Sequence, residues 1–205
     1  MILYKTVSRE ADAEQIIEKS KFIAHVSPVS GRDEGEAFIA RIRGSYRDAT
    51  HNVPVMVIGD KFQIQWASDD GEPQGTSGAP IVQMLVKEGI TNVAVVVTRY
   101  FGGIKLGTGG LVRAYTGTAR LGIEAAAVRE VKEICEIVAV TDYHSLSLLQ
   151  NMADKSDFVI KDIKYEEKVT ITAAADAEAA DGVKKLLTDS TSGNIKIVSE
   201  TLKTS

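Results

Sequence analysis

Little in this chain is available for covalent or metal chemistry. Of its 205 residues one is cysteine, one is tryptophan and three are histidine. A single thiol, Cys135, cannot close an internal disulfide and makes neither a CxxC redox pair nor a thiolate metal framework, so its expected place is a small apolar core position. His25, His51 and His144 fall into no HxH or HxxxH spacing, and none accompanies Cys135 in a protease pattern. All three are read as non-catalytic, with no metal site and no cofactor expected. Ser77 lies in Gly75-Thr76-Ser77-Gly78-Ala79, which lacks the glycine spacing of a nucleophile elbow. Long apolar runs are missing as well. None approaches the roughly 20 residues of a membrane span, and Met1 to Arg9 lacks the hydrophobic stretch of a signal peptide. The expected setting is the cytosol, with no membrane partner.

What is present is the balance of a globular protein, 44% hydrophobic and 25% charged, long enough for one large domain or two small ones. The net charge of -4 conceals an asymmetry. Residues 1 to 130 carry 15 Lys plus Arg against 15 Asp plus Glu, whereas residues 131 to 205 carry 9 against 13. Within the neutral part, Gly89 to Ile123 holds Arg99, Lys105, Arg113 and Arg120 and no acid at all. A mildly acidic protein thus carries a local positive field.

Periodicity divides the chain into elements. Val7 to Val29 reads as one or two strands with a turn between them, because Phe22, Ala24 and Val26 alternate with Lys21, Ile23 and His25. Asp33, with Glu36 three residues on, reads as a capping-box start of a helix carrying Phe38, Ile39 and Ile42. Val53 to Ile58 and Phe62 to Trp66 flank Gly59-Asp60 as an antiparallel pair, which puts Pro54 at a strand start or edge. Asp69 to Gly78 is a loop, and Thr76 or Ser77 is the expected cap of the helix that Pro80 starts. Val93 to Val97 is continuously apolar, the pattern of a central strand covered on both faces. A long helix with Leu111, Tyr115, Ala119 and Ile123 on one face follows. Beyond it the order βαββαβ fills about 70 residues, a ferredoxin-like arrangement. The fold class expected is therefore α+β in two domains, residues 1–134 and 135–205.

Between the central strand and the long helix lies the segment with most chemical promise. Gly102, Gly103, Gly107, Gly109 and Gly110 let the backbone approach a ligand closely, a helix N-terminus adds free N–H groups, and Arg99, Lys105 and Arg113 add charge. Such a surface suits phosphate or another anion, with Tyr100 or Phe101 available to stack on a base. The alternative is that the glycines only permit tight packing and the cations are solvated. A nucleotide-phosphate loop is disfavoured by its letters: there is no GxxxxGK[ST], and Gly107-Thr108-Gly109-Gly110-Leu111-Val112 misses the last small residue of a dinucleotide fingerprint. Asp69, Asp70 and Glu72 form an acidic loop that suits a divalent cation or a basic partner, with plain solubility or a structural clamp on the neighbouring Arg99 favoured over a metal site.

Asp69-Asp70-Gly71-Glu72-Pro73-Gln74-Gly75-Thr76-Ser77-Gly78, followed by Val97-Thr98-Arg99-Tyr100-Phe101-Gly102-Gly103-Ile104-Lys105-Leu106-Gly107, resembles the signature of the IMPACT family. Ser20-Lys21-Phe22-Ile23-Ala24 and Ala49-Thr50-His51-Asn52 are similar to two further motifs of that family in the same order. Where many members carry a cysteine after His-Asn, this chain has Val53 and Pro54. The resemblance implies a first domain with the fold of the second domain of ribosomal protein S5, and a second domain like the ferredoxin-like fifth domain of elongation factor G. It also implies a translation-linked regulatory role, with RNA or a ribosome-associated protein as partner. Two alternatives stand beside it: a docking module that binds protein without nucleic acid, and an enzyme acting on a nucleotide or other phosphorylated molecule. No catalytic residue is assignable and no oligomeric state is implied.

Overall fold

A computed structural model describes residues 2–204, which divide into two compact units, one spanning Tyr4–Glu130 and one that runs on from Val131 and includes Leu3. The chain opens with β1 (Ile2–Val7), followed by β2 (Ala11–Ile17), β3 (Ser20–Pro28), α1 (Arg32–Ser45), β4 (His51–Ile58), β5 (Ile64–Ala67), α2 (Gly78–Lys87), β6 (Val93–Tyr100) and α3 (Gly107–Ala125). The first unit is built on an antiparallel sheet in the order β2-β3-β6-β4-β5, which makes β6 its central strand.

The apolar run in β6 is buried on both sides, as its pattern requires. Val93, Val95 and Val97 join a core with Ile81 and Leu85 of α2 and Leu111, Tyr115, Ala119 and Ile123 of α3. Ala94 and Val96 join a second core with Phe38, Ile39 and Ile42 of α1. The expected alternation in β3 sorts the same way: Phe22, Ala24 and Val26 face the α2 and α3 side. Val7 to Val29 is resolved into separate strands, β2 and β3 being joined by a tight turn in which Glu18 and Lys19 both take positive φ, 45° and 64°.

Three local expectations are corrected. Helix α1 begins one residue before Asp33, and no capping box forms there; Glu34 Oε2 instead accepts from the backbone N–H and hydroxyl of Ser30, both at 2.7 Å, while Glu36 pairs with Arg32. Ser77 occupies the N-cap of α2 without bonding through its own side chain to the helix. Asp69 does that work from eight residues away, its Oδ1 accepting from the Ser77 hydroxyl at 2.7 Å and the Gly78 N–H at 2.9 Å. Pro54 sits in β4, an interior strand, and pairs with Val96 of β6. Its carbonyl accepts from Ser68 N–H at 3.2 Å, just beyond β5. The nitrogen of a strand residue points to the same side as its own carbonyl, so the missing donor falls where the β5 ladder has ended.

The second unit comprises β7 (Val128–Thr141), α4 (Tyr143–Ala153), β8 (Phe158–Tyr165), β9 (Val169–Asp176), a short 3-10 turn (Ala177–Ala179), α5 (Ala180–Ser190) and β10 (Lys196–Thr204). β7 lies between β9 and β10 and β8 flanks β9, all antiparallel, with β1 also beside β7. This is the ferredoxin-like βαββαβ arrangement. Leu146 and Leu149 of α4 and Val183 and Leu187 of α5 pack on Ile137, Ala139, Ile171 and Ala173, and Cys135 is one of the residues of that core. Burial raises the Cys135 thiol above its ordinary value. No helix among the described residues is long and apolar enough to cross a membrane.

Candidate functional site

The register of three neighbouring strands assembles the site. Phe22 of β3 and His51 of β4 both lie directly opposite Arg99 of β6. Residues opposite one another on adjacent strands share a face, so Arg99 is set between an aromatic ring and an imidazole. Its guanidinium lies 5.2 Å from the Phe22 ring centroid and 5.3 Å from that of Phe101. Helix α3 lowers Tyr115 onto the same row, edge-on to Phe22 with centroids 5.3 Å apart.

Glu72 completes the cluster from the acidic loop. Its Oε1 accepts from Arg99 Nη1 at 2.6 Å and from the Tyr115 hydroxyl at 2.7 Å, and His51 Nε2 stands 3.8 Å away. Glu72 and Arg99 are only 8% and 5% exposed. Two opposite charges removed from water in this way depend on each other. Burial, then the hydrogen bond to Glu72 and its charge, push the Tyr115 phenol far above its ordinary value, so the hydroxyl acts as a donor at all working pH. His51 Nδ1 lies 2.8 Å from the Asp70 carbonyl oxygen, which can only accept. Nδ1 therefore carries a proton, and Nε2 is the nitrogen that faces Glu72.

The loop that carries Glu72 is held by its own acids. Asp69 bonds to the N–H groups of Gly75 and Gly78 and to Ser77. Burial opposes ionisation of Asp69, but these hydrogen bonds outweigh it and hold the carboxyl below its usual value. Asp70 accepts from Asn52 N–H at 2.6 Å and from Arg43 at 2.7 Å. All three carboxylates are thus engaged inside the domain, Glu72 as the clamp on Arg99.

Of the residues expected to meet an anion, Arg99 is the one the structure withdraws: it is buried and neutralised by Glu72. Lys105 and Arg113 are exposed and make no ion pair among the described residues. Phe101 is 46% exposed, whereas Tyr100 is half-buried with its hydroxyl donating to Asp48 at 3.0 Å. The glycines divide by role. A Cβ on Gly102 would stand 2.0 Å from the Lys19 carbonyl carbon, so that glycine serves close packing on the β2–β3 turn. Gly103 and Gly107 take positive φ, 88° and 71°, in open space. Gly107, Gly109 and Gly110 open α3, whose N-cap residue Leu106 offers no side-chain cap and whose first turn holds no acid. A cavity of about 440 Å³ lies between this segment and the buried cluster, bounded by Glu72, His51, Phe101, Leu106 and Leu111 among others. No group of three or more His, Cys, Asp or Glu among the described residues is placed to hold a metal.

The Impact N-terminal domain family matches residues 18–123, the stretch that contains every residue of this cluster. The chain belongs to the IMPACT family. A domain of unknown function, DUF1949, matches residues 140–194 of the ferredoxin-like unit. The IMPACT family member YvyE of Bacillus subtilis is 39% identical over 194 residues, covering 95% of this chain and 89% of that protein. YigZ of Escherichia coli is 32% identical, covering 89% and 90%. Protein IMPACT of Rattus norvegicus is 34% identical over 94 residues, which is 43% of this chain and 29% of that protein. A solved structure described as an hypothetical protein is 29% identical with a TM-score of 0.59 and covers 96% of each chain.

His51 and Tyr115 are the site residues that sequence reading passed over. His51 lies inside the Ala49-Thr50-His51-Asn52 motif of the IMPACT resemblance, which was the one available signal. Tyr115 was read only as a core residue of α3. His25 and His144 stay apart from the cluster: His25 is buried with Nδ1 2.8 Å from Asp12, and His144 is exposed.

Proposed function

We propose that this IMPACT-family protein is a translation-linked regulator that binds RNA, in a binding role and not an enzymatic one, through the first domain. The surface is formed by Lys105, Arg113, the backbone from Gly102 to Gly110 and the ring of Phe101. One observation carries the reading: Asp70 and Glu72 are consumed by Arg43 and Arg99, while Lys105 and Arg113 are left exposed and without an ion pair at the start of α3, with Glu18 the one acid lining the same groove. The field there is positive although the whole chain is acidic. Exposed Phe101 and Ile104, 46% and 37% accessible, add the apolar contact that unstacked bases seek.

Fluorescence anisotropy with a labelled single-stranded RNA, repeated across a salt series, tests this reading. Affinity should fall steeply with salt, and Lys105→Ala/Arg113→Ala should flatten the log–log slope by about 1.4 for two lost phosphate contacts. Unchanged affinity and slope in the double variant would sink the proposal. Binding of a ribosomal fraction that resists nuclease and ignores both substitutions would point instead to protein docking elsewhere on the chain.

A further inference from the structure

Lys105 and Leu106 line two hollows at once, so the segment they belong to is the wall between them. On one side lies the cavity of about 440 Å³, with Pro73, Phe101 and Leu111 as apolar walls and the Glu72 and Arg99 ion pair, neutral as a whole, in its lining. On the other side a groove of about 500 Å³ runs between α3 and the end of β2, with Ile17 and Ile104 as its apolar lining. Its depth comes from Gly110, Ala114 and Gly117, which follow at i, i+4 and i+7 and so share one face of α3 with almost no side chain. Gln15 closes the far wall, its amide donating to the Thr118 hydroxyl at 2.6 Å. Charge is distributed unequally. Lys105 stands on the dividing wall and Arg113 beside the groove, both exposed, while Glu18 at the β2–β3 turn is the one acid lining the groove.

Positive charge thus sits on a ridge, and apolar area lies to either side of it. A chain whose anionic backbone carries flat apolar rings fits that division. We infer that two successive bases of a single RNA strand splay across this ridge, one against Phe101 in the cavity and one against Ile104 in the groove, with the linking phosphate at Lys105. Glu18 disfavours a phosphate within the groove and the charges in the cavity cancel, which leaves the dividing wall as the place for the backbone. Both volumes fall in the range of small-ligand sites, room for one base each. Contacts of this kind use the face of a base, which every base has, so the site selects unpaired strands without selecting sequence. A duplex keeps its bases stacked and paired, and releasing two of them has a free-energy cost that a single strand does not meet. This inference rests on the RNA reading and narrows its ligand to unpaired RNA.

Fluorescence anisotropy of the full chain with three labelled probes reads this directly: oligouridylate, the same strand annealed to oligoadenylate, and an abasic ribose-phosphate oligomer of equal length and charge. The single strand should bind at least about tenfold more tightly than either of the others, because contact with two bases is at stake. Two variants fill the hollows separately. Thr108→Phe places a ring at the exposed mouth of the cavity, and Gly117→Leu occupies the groove at a position where a Cβ would stand 3.6 Å from Gln15 Nε2, an ordinary contact. Each should weaken oligouridylate binding about fivefold or more and leave the salt slope unchanged, since the phosphate contacts stay. A duplex or an abasic oligomer bound as tightly as the single strand, or variants that bind oligouridylate like the parent, would overturn the inference. The two claims separate on the same data. Equal, salt-dependent binding of strand and duplex that weakens in Lys105→Ala/Arg113→Ala would leave the RNA reading standing and remove the splayed bases, whereas binding of none of the three probes would overturn both.

Discussion

Glu72→Gln keeps the shape of a buried side chain and removes its charge, so it measures what the carboxylate does for Arg99. Arg99 is 5% exposed, and its short contact, 2.6 Å to Glu72, is the only one to an anion among the described residues. The remaining polar neighbour, Ser20 Oγ, is 3.4 Å away, and Nε has no partner. Breaking a buried pair by removing one charge costs roughly 3–5 kcal/mol, since the surviving ion is left in low dielectric. The rings of Phe22 and Phe101 at 5.2 and 5.3 Å offset part of that, which places the expectation near the low end, about 3 kcal/mol. For a domain the size of Tyr4–Glu130 the unfolding entropy converts this to a fall in Tm of about 11 °C. Trp66 fluorescence is the assay of choice: it is the sole tryptophan, lies on β5 of the first domain and is 38% exposed, so the second domain does not enter the signal. Glu72→Gln/Arg99→Met, which removes both charges, should recover most of the loss. A shift of less than about 3 °C in the single variant, or a double variant as unstable as the sum of the singles, would refute the claim that the two charges depend on each other.

Further substitutions test the rest of the segment. Gly102→Ala should destabilise by more than about 2 kcal/mol, because its Cβ meets the Lys19 backbone and not a movable side chain, whereas Gly109→Ala, whose nearest neighbour is Arg113 Nη1 at 3.7 Å, should stabilise α3 by about 0.5–1 kcal/mol. Urea titrations followed at Trp66 distinguish them, and the same sign for both would count against the division of roles among the glycines. Asp69→Asn tests the loop. The native carboxyl is held below its unfolded value, so its contribution is present above the ordinary carboxylate range and disappears as pH falls through the folded value. Thermal melts should show the variant less stable than the parent at neutral pH and the two converging in acid; a gap that stays constant with pH would assign the effect to shape alone.

Much of the architecture could be read in one dimension because it follows from local periodicity. The run Val93 to Val97 needs apolar neighbours on both faces, and a strand with that need belongs at the centre of a sheet. The alternation of strands and helices beyond Val131 leaves a ferredoxin-like order as the economical packing of one sheet with helices on one face. Start and stop details were less legible. Asp69 caps α2 from eight residues away and Glu34 engages Ser30, and both depend on how a loop closes in space. Pro54 was misplaced for a related reason: whether a strand position needs its N–H depends on where the neighbouring strand stops.

The sequence by itself determined that a glycine-rich, acid-free stretch joins a central strand to a helix, and that the chain carries the IMPACT motifs. It could not determine which of the cations in that stretch are free. Arg99, Lys105 and Arg113 look alike as letters, and a charge is neutralised only by a partner within a few ångströms. For Arg99 that partner is Glu72, 27 residues earlier. Tertiary structure made the choice through the register that sets Phe22, Arg99 and His51 in one row and through the loop that folds Glu72 beneath α3. It thereby converted an expected row of three cations into one buried ion pair and two exposed positive charges.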